Sequence, residues 1–282
     1  MNKDWSLVIT PHNKLWHVDF KEIWRYRDLI TLFVKRNIIV QYKQTILGPL
    51  WYVIQPVLTV VMNMVVFGGI AKMSTDGIPQ PLFYMAGNVC WFYFSDCLNQ
   101  TSSTFTANQS MFGKVYFPRL VVPISTVLSN LLRFGIQLGL FSVLWIWFFA
   151  GGANVRVNVM VIVFLPVLVM MLAGLGLGFG ILISSMTTKY RDLTILFTFI
   201  VQLWMYATPI VYPISMVINP TLRTIIMLNP MTSVIEAFKY VTLGEGYFSW
   251  LALCYSFAFM TVLLLFGIVI FNKVQRSFMD TV

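Results

Sequence analysis

Charge is scarce in this sequence. Of 282 residues only 10% are Asp, Glu, Lys or Arg, against about 25% in ordinary soluble domains. Ten acids and nineteen bases are too few to cover a globule of this size. Uncharged runs of 22 to 32 residues exceed the roughly 10–14 apolar residues of a buried soluble helix. With 58% of residues hydrophobic, the class is an integral membrane protein. Histidine is nearly missing: His12 and His17 lie in the polar N-terminal tail, and no span carries paired carboxylates, which disfavours an enzyme acting in the membrane. The three cysteines, Cys90, Cys97 and Cys254, fall in apolar stretches. They form neither a disulfide framework nor a zinc pattern and read as small buried residues, so no metal is expected. The opening MNKDWSLVIT has a short apolar run and no A-x-A site, so a cleavable signal peptide is not expected. No P-loop is present either. Gly113-Lys114 comes nearest, but Val115 follows it and Asn108 stands where the first glycine belongs. Without the glycine-rich phosphate cradle the chain is not itself a nucleotide hydrolase.

What is present is organised around Gln41–Pro56, QYKQTILGPLWYVIQP. Lys43 is followed by 28 uncharged residues before Lys72, enough for the roughly 20 helical residues that cross a bilayer. Pro49 suits the first turn of a helix, and Trp51 and Tyr52 suit the headgroup level. Six spans are expected at 49–71, 81–104, 121–149, 157–184, 193–212 and 248–271. The division is a cytoplasmic N-terminal segment, 1–48, and a six-helix membrane domain, 49–282. Threaded in order, these spans place fourteen of nineteen bases on one side and Lys72, Arg156, Arg223 and Lys239 on the other. That bias puts both termini in the cytoplasm, and explains the net charge of +9 without nucleic acid.

Before the first span, Phe20, Ile23, Trp24, Leu29, Ile30, Phe33 and Val34 recur near helical spacing with charges between them. This is the pattern of a helix lying on a membrane surface or packed on another subunit. The segment 213–247 is too apolar for an ordinary loop. Pro213, Pro220 and Pro230 divide it into pieces suited to two short re-entrant helices. Two short loops, 105–120 and 185–192, are placed to touch a cytoplasmic partner. In the first, Met111, Phe112, Val115, Tyr116 and Phe117 favour a short docking helix.

Two polar stripes stand out. Tyr52, Gln55, Thr59 and Asn63 are spaced to share one face of the first span, and Thr194, Thr198, Gln202 and Tyr206 one face of the fifth. Polar groups in a bilayer need protein or water beside them. Taken alone, the stripes fit interhelical hydrogen bonding best. A mixed Gln, Thr, Tyr and Trp surface, with Trp51 included, also suits a sliding carbohydrate. Asp96 and Arg133 are the charges set deep in spans, and are expected to pair across the second and third. Gly174/Gly178 and Gly176/Gly180 are G-x-x-x-G pairs that call for close helix packing. The run Trp91-Phe92-Tyr93-Phe94 points all round a helix and takes no binding role.

The chain resembles the permeases of ABC-2 type ABC transporters, in the branch that exports lipid-linked polysaccharides such as O-antigens or teichoic acids. The resemblance rests on Trp24–Ile30, Arg36, Gln41–Trp51, Gln55-Pro56, Phe117-Pro118-Arg119, Tyr190-Arg191-Asp192, Asn229-Pro230 and the tail from Phe271 to Asp280. It implies a homodimer joined by two copies of a cytoplasmic ABC ATPase, with ATP and Mg held by that partner and no cofactor in this chain. It also implies a conduit at the dimer interface, lined by the first and fifth spans. Loop 105–120 would dock on the ATPase through Gln109, Met111, Phe112, Lys114, Tyr116 and Arg119, with Arg191 and Asp192 as a second contact. Trp24, Arg25, Arg27, Arg36, Tyr42 and Lys43 would form an interface gate. The location implied is a bacterial cytoplasmic membrane. Two other classes remain open. An ABC-2 exporter of small hydrophobic compounds or lipids would give no polymer defect when deleted. An ion-coupled secondary transporter calls for repeats and midplane acids that are not evident.

Overall fold

The computed structural model describes residues 20–43, 47–115, 117–153, 155–156, 158–190 and 192–278. Tyr116 and Arg191 lie outside the described residues, as do His12, His17 and the side chain of Tyr42. Among the described residues there is no strand.

The chain begins with α1 (Phe20–Arg25) and α2 (Arg27–Tyr42), separated at Tyr26. α2 lies along α7 (Val121–Ala150). Its apolar spacing resolves at Phe33, which is buried in a cluster with Phe105, Phe112, Phe117 and Phe271. The turn into the first long helix is made at Gly48, whose φ of 45° is a left-handed conformation that suits glycine. Pro49 then opens a 3₁₀ turn, Gly48–Leu50, where its missing N–H costs nothing. α3 (Trp51–Asn63) follows and widens into a π-helical stretch, Met64–Ile70.

α4 (Gln80–Ser102) is the core of the molecule, with 17 of its 23 residues buried. It packs against α3, α7, α8 (Val161–Thr187), α9 (Leu193–Tyr206) and α11 (Pro230–Leu243). α8 meets it through glycine. A Cβ at Gly176 would come 2.7 Å from the Cys97 Cβ and 3.0 Å from the Phe94 carbonyl. A Cβ at Gly180 would strike Thr101. The alternate pair faces α12 (Trp250–Phe278): Gly174 lies against Met260 and Gly178 against Leu263. The two glycine pairs thus seat α8 between α4 and α12. Trp91, Tyr93 and Phe94 are buried within this core.

Two short helices, α5 (Thr104–Ala107) and α6 (Gln109–Phe112), leave α4 at the end where α2 and the tail of α12 gather. At the opposite end, α10 (Pro220–Leu228) and α11 fill the expected 213–247 segment, each opening on a proline capped by an asparagine.

Among the described residues, four helical stretches are long and apolar enough to cross a membrane: Gly48–Ile70, Val121–Ala150, Val161–Thr187 and Trp250–Gln275. α4 is long enough, at about 1.5 Å per residue, but Asn88, Asp96, Asn99 and Gln100 lower its hydropathy. α9 has 14 residues and stops at Tyr206 rather than running on to 212. The cause is local: Thr208 precedes Pro209, and the residue before proline is driven out of helical geometry. The carbonyls left open by that break find partners. Tyr212 donates to Tyr206 O, Asn229 Nδ2 to Ala207 O at 3.5 Å, and Lys239 Nζ to Pro209 O at 2.6 Å.

Candidate functional site

The deep charges and the first polar stripe converge on one cluster. Arg133 on α7 reaches Asp96 on α4, Nη1 to Oδ2, at 2.7 Å. Its other terminal nitrogen, Nη2, donates to the Gln55 side-chain oxygen on α3 at 2.7 Å. The guanidinium also sits 5.2 Å from the Tyr52 ring centroid. One turn away, Asn130 Nδ2 donates to Gln100 Oε1 at 3.2 Å. The spacing follows from antiparallel packing, in which Asp96 and Gln100 on α4 descend as Arg133 and Asn130 on α7 rise. A cation placed among three helices ties the conduit candidate α3 to the core.

The stripe keeps to one side of α3, where Tyr52 and Asn63 lie only about 20° apart around the axis, but its cover differs along the helix. Trp51 and Gln55 are exposed, Tyr52 and Thr59 are half-buried, and Asn63 is buried. The stripe on α9 is open: Thr198, Gln202 and Tyr206 are exposed and Thr194 is half-buried. Ile195, Phe199 and Leu203 flank it and are exposed as well. The Thr198 hydroxyl donates to Thr194 O at 2.8 Å and the Thr59 hydroxyl to Gln55 O at 2.9 Å, so neither threonine needs a partner on another helix. Trp204 holds α9 to the core, with its ring 5.3 Å from Phe94 and 5.1 Å from Phe179.

Around the interface helix, Trp24, Arg25, Arg27, Arg36 and Lys43 are all exposed, and Arg36 lies over the Phe33 ring at 4.7 Å. Loop 105–120 divides into two kinds of residue. Gln109 and Met111 are half-buried, and Lys114 is exposed. Phe112 and Arg119 turn inward. Arg119 donates to Gln275 O on α12 at 2.9 Å and lies 5.3 Å from the Phe112 ring; burial lowers its pKa from the ordinary arginine value. These two residues brace the loop on the end of α12. The cause is apolar burial within the phenylalanine cluster. Asp192 is exposed at the start of α9.

The description "ABC-2 type transporter" fits a family model that matches residues 28–243. The chain belongs to this family. A relative from Myxococcus xanthus, named O-antigen export system permease protein RfbA, is 26% identical over 222 residues, covering 78% of this chain and 82% of the relative. A protein of the same name from Klebsiella pneumoniae is 26% identical over 254 residues, 90% of this chain and 94% of its own.

This ABC-2 transporter chain holds a second buried pair that sequence reading missed. Glu236 Oε1 and Lys239 Nζ on α11 stand 3.2 Å apart, with side chains 4% and 1% exposed. Tyr247 N donates to Glu236 Oε2 at 3.0 Å, and the Lys239 ammonium lies 3.9 Å from the Phe83 centroid. The i, i+3 spacing of opposite charges was the available signal. The pair lies in a segment between the fifth and sixth expected spans, where charged residues do not by themselves stand out.

Proposed function

We propose that this chain is the membrane subunit of an ATP-driven exporter that moves lipid-linked polysaccharide from the cytoplasmic side of a bacterial inner membrane. It works as a homodimer with two copies of a separate ABC ATPase, and both termini face the cytoplasm. Six spans cross the bilayer, with α4 and α9 as the second and fifth. α4 carries its polar residues across because other helices sheathe it. The ATPase partner binds ATP and Mg and supplies hydrolysis.

Within this chain the labour divides by element. α1 and α2, with their exposed tryptophan and arginines, admit the lipid headgroup. Loop 105–120 passes the motion of the partner to α4 and α7, through Gln109, Met111 and Lys114. The glycan passes between two copies along Trp51, Gln55, Thr198, Gln202 and Tyr206. The observation that carries the reading is the uncovered α9 stripe in a chain whose relatives are named for O-antigen export. The Gln202 amide and the Tyr206 hydroxyl on an outward face in a bilayer need a polar neighbour, and a hydroxylated polymer provides one.

The test is depletion of the protein, with cell-surface and intracellular lipid-linked glycan measured separately. Loss at the surface with accumulation inside supports the reading. Unchanged pools, accompanied by altered sensitivity to small hydrophobic compounds, would leave the ABC-2 family in place and reject polysaccharide as the cargo.

A further inference from the structure

At the end of the bundle opposite α2, a half-open cavity of about 210 Å³ lies between the α3–α4 connection, the segment after α9, and α11 with its following loop. This is room for roughly seven waters at about 30 Å³ each, or for one sugar ring. Its floor is the Glu236–Lys239 pair, buried but facing the cavity. On one wall the Ser215 hydroxyl donates to Asp76 Oδ1 and Oδ2 at 2.9 and 2.8 Å. Asp76 is held at a φ of 51°, a left-handed conformation that non-glycine residues seldom adopt. On the other wall the Arg223 guanidinium stands 5.7 Å from the Tyr247 ring. Burying an ion pair is costly unless both partners are well satisfied. Here they are satisfied, Glu236 Oε2 by Tyr247 N and Lys239 Nζ by Pro209 O, and the buried pair sets the charge of the cavity floor from beneath it.

The lining narrows the ligand. Asp76, Glu236 and Glu245 set three carboxylates against the two cations Arg223 and Lys239, which disfavours an anion. Among the described residues no three His, Cys, Asp or Glu side chains gather closely enough to hold a metal ion. An apolar molecule would strip water from charged groups without replacing their hydrogen bonds. A neutral ring bearing several hydroxyls meets the exposed wall groups: Asp76 and Glu245 accept from it, the Arg223 guanidinium donates to it, and the Tyr247 face covers its aliphatic side. We propose that this cavity binds one sugar unit of the glycan as it leaves the conduit. The inference rests on the glycan-export reading above and adds a product-side site that holds the emerging chain.

The test uses the full-length chain in lipid nanodiscs. The probe is the soluble glycan released by mild acid from the surface polysaccharide of the same cells, titrated by saturation-transfer NMR. Saturable binding is expected. Asp76→Asn and Arg223→Gln should each weaken it by about tenfold or more, the scale of one lost charge-assisted hydrogen bond, at unchanged melting temperature. Tyr247→Ala, at an exposed position outside the ion pairs, should weaken it as well and carries the test if either polar variant fails to fold. Equal affinity in folded variants overturns the site, as does the lack of saturable binding to the wild type. If depletion still traps glycan inside the cell while the wild type binds none, the product-side site falls and glycan export stands. If depletion leaves the glycan pools unchanged and the wild type binds none, both readings fall.

Discussion

Arg133 is engaged by Asp96, Gln55 and the Tyr52 ring at once, so it cannot be removed without consequence. Taking one partner from a buried pair commonly costs about 3–5 kcal/mol. The side chains here are 15% and 21% exposed, so Arg133→Met should cost about 3 kcal/mol, the low end of that range. The measurement is heat denaturation of purified protein, and adding Asp96→Asn should recover most of the loss. No recovery would mean that the Gln55 contact, not the ion pair, carries the effect. Lys239→Met should do more damage, because Lys239 also closes the broken end of α9 through Pro209 O and is 1% exposed. We expect a loss near the upper end, about 5 kcal/mol, that Glu236→Gln only partly offsets. The first pair was legible in the sequence because two opposite charges stood deep in apolar runs. The Gln55 contact was not legible, since it depends on the register of α3 against α7, which no local pattern encodes.

At the scale of elements, the glycines of α8 set two opposing effects against each other. Alanine is favoured over glycine in a helix by about 1 kcal/mol. At Gly139 on α7, where an added Cβ meets nothing within 4 Å, only the propensity acts, and Gly139→Ala should be neutral or stabilising. At Gly176 the added methyl would come 3.0 Å from the Phe94 carbonyl, and a backbone atom in the central helix gives way poorly. Gly176→Ala should therefore lower the melting temperature despite the gain in propensity. If both variants are stabilised, the α4–α8 contact is looser than described. The G-x-x-x-G spacing announced close packing, and the structure adds that the two pairs serve different partners. The short α9 was harder to read. Hydropathy runs past Tyr206 without interruption, whereas the Thr208-Pro209 step ends the helix through backbone sterics that hydropathy does not register.

At the scale of the whole molecule, the outward face of α9 has to be covered. Thr198, Gln202 and Tyr206 are exposed on a helix whose other exposed residues include Ile195 and Phe199. Neither lipid alone nor water alone suits that mixture. A second copy of the chain related by a two-fold axis brings the same face to itself, so a residue near the axis meets its own copy. This makes the proposed conduit directly testable. With Cys254 changed to serine, since it is exposed while Cys90 and Cys97 are buried, Gln202→Cys should form a disulfide-linked dimer in membranes under mild oxidation. Such a bond requires Cα atoms within about 4.4–6.8 Å, so it reports a close approach and not mere proximity. Val163→Cys on α8, 68% exposed, should not cross-link under the same conditions. Linked dimers should also stop glycan export until the bond is reduced, because the two α9 helices could no longer separate. Efficient cross-linking at Val163 with none at Gln202 would move the dimer axis to another face and remove the α9 stripe from the path.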